Sequence, residues 1–248
     1  MSASPRTLDI TPGLEGRALC SVSRSHVGRV RAINEDRVFD DAEAGVWAVA
    51  DGMGGHSGGD LAAQQVVTCL RRATEITPLT QHAIRNALLA ANGDIHARNK
   101  RLGLDAGTTV VTAVLADGWL EISWAGDSRA YRLRDGRAEL LTHDHSLVQQ
   151  FVDAGLLTPA QAETHPHANI VTRALGVDAN PALDTVRVEV GADRFLLCSD
   201  GLSRSLRIDD FPAELPLAAL GDRMIANALE RDGSDNVSLV LIEIAAAG

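Results

Sequence analysis

A chain of 248 residues that is 45% hydrophobic but only 3% aromatic is long enough to bury a sizeable core and must fill it with aliphatic side chains. Its formal charge of −10 speaks against nucleic acid or an anionic membrane surface as partner, and no stretch approaches the apolar length needed to cross a bilayer. The widely spaced cysteines Cys20, Cys69 and Cys198 suit neither a disulfide framework nor a thiolate zinc site and fit a reducing, cytoplasmic setting.

Residues 1–16 are polar, contain Pro5 and Pro12 and have no apolar signal-peptide core, so they read as a flexible leader ahead of a single domain over 17–248. Short apolar runs predict strands at 18–23, 45–50, 108–115, 119–125, 130–133, 138–141, 185–190, 195–199 and 237–244. Asp117-Gly118 and Asp135-Gly136 each separate two such runs, and Asp-Gly in that place signals a tight hairpin, so the middle of the chain is expected to be an antiparallel meander.

A first helix over about 59–73 places Ala62, Ala63, Val66, Val67 and Leu70 on one face, and a second does the same with Ile84, Leu88, Ala91, Ile95 and Leu102. Further helices are expected at 146–154, at 159–163 with Thr158 as N-cap, and at 217–230. Hairpin-linked strands with grouped helices describe an α+β layered domain and not alternating βαβ units.

Asp36, Asp51, Asp127, Asp200 and Asp235 each sit beside a glycine, an asparagine or a turn and border an apolar run. Strand ends on a rigid sheet can aim several carboxylates at one point, and the hard oxygen-rich site so formed suits Mg²⁺ or Mn²⁺. Clustered carboxylates repel one another unless a cation holds them together. The glycine-rich 52–59 segment leads into a helix but lacks the Lys-Ser/Thr ending of a phosphate loop and the spacing of a dinucleotide fingerprint. A better reading is that Gly52 lets its backbone carbonyl approach a cation beside the Asp51 carboxylate.

These segments fall in a fixed order: Arg31-x-x-Asn-Glu-Asp36, Asp51-Gly-Met-Gly-Gly55, Gly107-Thr-Thr109, Gly126-Asp-Ser-Arg129, His143-Asp-His-Ser146, Thr172-Arg-Ala-Leu-Gly176, Ser199-Asp-Gly-Leu202 and Ser234-Asp-Asn-Val237. In that order, over about residues 20–245, the chain resembles the metal-dependent serine/threonine protein phosphatases of the PPM (type 2C) family, bacterial branch. The resemblance implies a four-layer α-β-β-α sandwich, two antiparallel β-sheets flanked by helices, with a dinuclear Mn²⁺ or Mg²⁺ centre at one end. It further implies hydrolysis of phosphoserine and phosphothreonine in proteins by direct attack of a bridging hydroxide, reversing bacterial Ser/Thr kinase signalling. The implied partners are phosphorylated proteins, a cognate kinase or its substrates, and the implied form is a cytoplasmic monomer.

By matching motif positions, Asp51 would bridge the two metals, Gly52 would lend its carbonyl to one, and Asp200 and Asp235 would ligate the other. Glu35 and Asp36 would hold metal-bound waters. Arg31 would grip the substrate phosphate, for which the planar fork of arginine is suited. Asp127 with Asp200 would bind a weaker third metal, but Arg204 stands where many relatives carry an acid, so it weakens that site by repulsion or contacts substrate or acidic surface.

The chain also has Met53 where animal members have a histidine, and His56 lies further along, so a metal-bound water is the expected proton donor. His143 and His145 are read as structural, His165-Pro-His167 as part of a flap beside the site, and Cys198 as a small buried strand residue. Two other functional classes remain open to test: a catalytically silent module that binds a kinase or signalling partner, and a dinuclear metallophosphoesterase built on His143 and His145.

Overall fold

The structure is a computed structural model and describes residues 6–7, 17–54, 58–76 and 79–246. Five strands and two helices lead: β1 (Arg6–Thr7), β2 (Arg17–His26), β3 (Arg37–Asp41), β4 (Val46–Ala50), β5 (Gly52–Met53), α1 (Gly59–Thr74) and α2 (Gln81–Leu102). The middle holds β6 (Gly107–Thr108), β7 (Val110–Ala116), β8 (Trp119–Ala125), β9 (Arg129–Arg134), β10 (Arg137–Leu140), α3 (Leu147–Asp153) and α4 (Pro159–Glu163). The chain closes with β11 (Asp184–Glu189), β12 (Asp193–Cys198), α5 (Asp200–Ser203), α6 (Leu217–Arg231) and β13 (Val237–Ala246).

The strands form two large antiparallel sheets, in the orders β1-β2-β13-β12-β9-β10 and β11-β8-β7-β4-β3, with β5 and β6 as a small separate pair. Side-chain alternation explains why the sheets stack as they do. In β4, Trp47 and Val49 face the other sheet while Val46, Ala48 and Ala50 face α1 and α2. In β13, Val240, Ile242 and Ile244 join the layer between the sheets, whereas Val237, Leu239 and Leu241 meet Leu217, Leu220 and Met224 of α6. Each inner strand is thus apolar on both faces, and the layers run helix pair, sheet, sheet, helix. That is the expected α-β-β-α sandwich.

The helices begin where the capping chemistry places them. Ser146 and Thr158 accept from the backbone N–H of Gln149 and Gln161, and Thr158 with Gln161 completes a reciprocal box ahead of Pro159. Both expected Asp-Gly hairpins form, with Asp117 at φ 51° and Asp135 at φ 51° followed by glycines at 76° and 71°.

The meander, however, is divided. The β7–β8 hairpin belongs to one sheet and the β9–β10 hairpin to the other, so residues 126–128 carry the chain across the gap between sheets. The predicted 108–115 strand also splits at Thr109, whose N–H leaves the ladder for the carbonyl of Asp51 at 2.8 Å. Strand β3 escaped the sequence reading because Arg37, Asp40 and Asp41 hide its alternation, which an edge strand tolerates. Of the leader, only Arg6–Thr7 lie among the described residues, where they pair with Leu19 and Ala18. The three cysteines are free, and no helix among the described residues is long and apolar enough to cross a membrane.

Candidate active site

The five aspartates meet at one end of the sandwich because the strand ends that carry them lie side by side. Arg37 pairs with Ala50, which brings Asp36 next to Asp51, and Cys198 pairs with both Leu239 and Arg129, which brings Asp200 next to Asp235 and Asp127. Asp127 occupies the crossing between sheets, so one carboxylate comes from the gap itself.

Backbone and hydroxyl bonds fix the individual positions. The Asp51 carbonyl accepts from the N–H of Thr109 at 2.8 Å and the hydroxyl of Thr108 at 3.0 Å, and the Thr109 hydroxyl bonds Ser128 at 2.7 Å beside Asp127. The Gly107-Thr-Thr109 motif therefore holds two of the five aspartates. Asn236 does the same for the 27–36 loop: its amide donates to the carbonyls of Val27 at 2.8 Å and Ile33 at 3.0 Å, and its oxygen accepts from the N–H of Glu35 at 2.8 Å. Arg129 holds Asp144 through a forked pair with a shortest contact of 2.7 Å, anchoring the start of the 143–146 motif.

Two glycines are demanded by crowding. A Cβ on Gly201 would lie 2.1 Å from the carbonyl oxygen of Asn236, and one on Gly52 would lie 2.3 Å from that of Gly59 and 2.8 Å from that of Glu35. At Gly52 it is therefore protein backbone that makes the close approach.

The electrostatics of the cluster are unusual for carboxylates. Asp36 is only 2% exposed; its Oδ2 accepts from Ser199 at 2.8 Å and its Oδ1 has no partner. Burial pushes its carboxyl up to about 7, against the Ser238 and Ser199 hydroxyls and with Asp200 and Asp235 adding to the rise. Burial likewise drives Asp127 up to about 7, with Asp200 and Asp144 adding and Arg204 opposing. Asp51 is held well above the usual range, first by burial and then by Asp36, Asp200, Asp127 and Asp235. Asp200 is raised by burial and pulled back by Arg204, and Glu35 is raised by burial and by Asp60. Five carboxyl groups at one point, Asp36 and Asp127 buried and the other three half-buried, are a potential charge excess that a cation would relieve.

Arginines supply part of that relief. Arg31, half exposed, places Nη2 2.8 Å from Asp235 Oδ2, and Arg204 places Nη2 2.7 Å from Asp200 Oδ2 and 3.8 Å from Asp127 Oδ2. With Asp200 and Asp235 turned onto these guanidiniums, no three His, Cys, Asp or Glu side chains among the described residues form a closed metal-binding group as they stand. Divalent cations at Asp51, Asp200 and Asp235 fit the donor chemistry, all hard oxygens beside the unpartnered Asp36 Oδ1. A cation between Asp127 and Asp200 fits poorly, because the Arg204 guanidinium faces both carboxylates and, unlike Arg31, is also held on its far side by Asn169.

His56 lies outside the described residues, while His143 shares a cavity wall with Asp127 and Asp200 but turns its ring to another partner. His143 bonds Asp153 at 2.8 Å. His145 accepts from the N–H of Gly126 at 3.2 Å, bonds Asp184 at 3.1 Å and stacks on Trp124. Both imidazoles are thus engaged in holding loops, as the structural reading of them expects. Cys198 is fully buried among the residues facing α6, with its thiol pushed up to about 12 by burial.

Sequence reasoning passed over Ser199 and Asn236 as positioning residues, although both lie inside motifs it had marked. Their signal is a polar side chain enclosed by apolar strand ends.

Comparison with known proteins follows the same outline. The sequence profile described as Protein phosphatase 2C matches residues 24–241. The chain is 36% identical over 234 residues to the serine/threonine protein phosphatase PstP of Mycobacterium tuberculosis, a match that covers 90% of this chain but 44% of that protein, so it spans less than half the length of that relative. It is also 36% identical over 239 residues to the serine/threonine phosphatase stp of Listeria welshimeri, covering 89% of this chain and 94% of the other. Among solved structures, the catalytic domain of PstP in complex with 2 manganese ions superposes with a TM-score of 0.81 at 34% identity, covering 92% of this chain and 99% of that one.

Proposed function

The chain belongs to the protein phosphatase 2C family, and from that premise we propose that it is a protein serine/threonine phosphatase that removes phosphate from phosphoserine and phosphothreonine with the help of two divalent cations. The observation that carries this reading is the meeting of Asp36, Asp51, Asp127, Asp200 and Asp235 at one end of the sandwich, where burial and mutual repulsion raise Asp51 and Asp36 out of the usual carboxylate range. The manganese pair named for the PstP catalytic domain, a similar chain, supports it.

In this reading Asp51, the Gly52 carbonyl, Asp200 and Asp235 hold the cations, which is manganese or magnesium chemistry by donor type. When bound, such a pair lowers the pKa of water towards neutrality and offsets the charge of phosphoryl oxygens. The protein's own groups do the rest. Asp36, anchored by Ser199, and Glu35, tied through its N–H to Asn236, accept hydrogen bonds from water at fixed positions. Arg31, half exposed beside Asp235, has the planar fork to take two phosphate oxygens, and would be free to do so where Asp235 is engaged by a cation. Because Thr108 and Thr109 hold the Asp51 peptide, the Asp51 carboxylate is aimed before substrate arrives.

Phosphorylated proteins of a bacterial Ser/Thr kinase circuit are the proposed substrates, and the proposed form is a cytoplasmic monomer in which Asp127 takes no part in the two-ion centre. The test is phosphate release from a phosphothreonine peptide with added Mn²⁺. Turnover arrested by EDTA and restored by excess Mn²⁺ is expected, and turnover indifferent to EDTA overturns the reading.

A further inference from the structure

Arg204 departs from the acidic residue expected at its position, and the structure places it between two parts of the molecule. On one side its Nη2 lies 2.7 Å from Asp200 Oδ2 and 3.8 Å from Asp127 Oδ2. On the other, Nη1 donates to Asn169 Oδ1 and Nη2 approaches the Ala168 carbonyl at 3.5 Å. These two sides face each other across a cavity of about 360 Å³ whose walls include Asp127, Asp200, Ala168 and Arg204. The 165–169 turn is otherwise secured at its flanks, through Leu147 N–H to Ile170 O at 2.9 Å and through His165 against Phe151.

We infer that Arg204 is a built-in replacement for a third cation at Asp127 and Asp200, and that the same guanidinium latches the 165–169 turn over the active site. The argument is one of shared space and charge. A metal ion on carboxylate oxygens stands about 2.0–2.6 Å from them, and in the space between the two carboxylates the Arg204 nitrogen already lies 2.7 Å from Asp200 Oδ2 and 3.8 Å from Asp127 Oδ2. A third cation cannot enter that gap without strong repulsion from the guanidinium, which is bonded at both ends of its fork and is the cation the chain carries permanently. Asp127 is thereby a partner of Arg204, and the turn is held by a residue of the catalytic end. The inference rests on Asp51, Asp200 and Asp235 holding two ions, as proposed above.

The test counts manganese bound per chain, by calorimetric titration and elemental analysis, in wild type, Arg204→Ala, and Arg204→Ala combined with Asp127→Asn. Amide exchange of residues 165–170 is followed in EDTA for wild type, Arg204→Ala and Arg204→Lys. Wild type is expected to bind two ions, Arg204→Ala to bind one more, and the double variant to lose it again. Exchange is expected to quicken about tenfold in both single variants, since lysine keeps the charge but cannot bond both sides with a planar fork. A third ion in wild type, or a count of two unchanged by Arg204→Ala, overturns the cation replacement alone. Exchange unchanged in both variants overturns the latch. A wild type that binds no manganese contradicts the dinuclear reading itself, and the exchange rates then still decide the latch.

Discussion

The side-chain oxygen of Asn236 accepts the backbone N–H of Glu35 at 2.8 Å, joining residues 201 positions apart in the chain. Since the Asn236 amide also holds the carbonyls of Val27 and Ile33, the loop bearing Arg31, Glu35 and Asp36 is fastened to the corner bearing Asp235. Asn236→Ala leaves three backbone groups without their partner and is expected to cost roughly 2–3 kcal/mol of stability. Urea denaturation measures it; a loss within the error of the measurement would mean that water replaces the side chain freely.

Asp36 is where stability and function pull apart. Its buried carboxylate has an unpartnered oxygen and repelling neighbours, so Asp36→Asn is expected to raise the melting temperature in EDTA by about 2–4 °C. The same change is expected to weaken manganese binding about 10- to 100-fold, because the oxygen that orders water beside the ions becomes an amide. Thermal scans and manganese titration on one preparation check both signs. A variant that melts lower in EDTA contradicts the assigned strain.

Much of this site was legible in the sequence, and the reason is local. Each aspartate follows or precedes an apolar run, so strand ends and turn residues announce it, and the Asp-Gly pairs name their own hairpins. What was not legible depends on contacts across the chain. That Gly52 is needed for the backbone of Gly59, that residues 126–128 change sheets, and that β3 is an edge strand are all facts of neighbours that no single segment encodes. The partnership of Arg204 with Asn169 is of the same kind.

Gly201 tests the packing of the catalytic corner. A methyl group there would lie 2.1 Å from the Asn236 carbonyl oxygen and 3.1 Å from its carbon, which is backbone and not the movable tip of a side chain. Gly201→Ala is expected to destabilise by about 3 kcal/mol and to disturb Asp200 and Asp235 together. Chemical denaturation with manganese titration reads both, and a stable variant with full metal affinity would show that the corner can shift without cost.

The His145 imidazole accepts the Gly126 N–H on Nδ1, so this nitrogen must stay unprotonated, and burial lowers the ring below its ordinary 6.5. A depressed pKa gives stability that is present above 6.5 and lost as pH falls through the folded value, since the unfolded chain takes up the proton first. NMR titration of the ring is expected to give a value below 6.5. A value at or above it would place the imidazole in solvent or against a stronger anion than Asp184.

Asp51 decides whether the carboxylate cluster is a catalytic metal centre. Phosphate release from a phosphothreonine peptide, measured with saturating Mn²⁺ for wild type and Asp51→Asn side by side, is expected to fall by at least about 100-fold in the variant while its fold is retained. Equal turnover by a folded Asp51→Asn protein would contradict the assignment of Asp51 to the cation pair and, with it, the proposed mechanism.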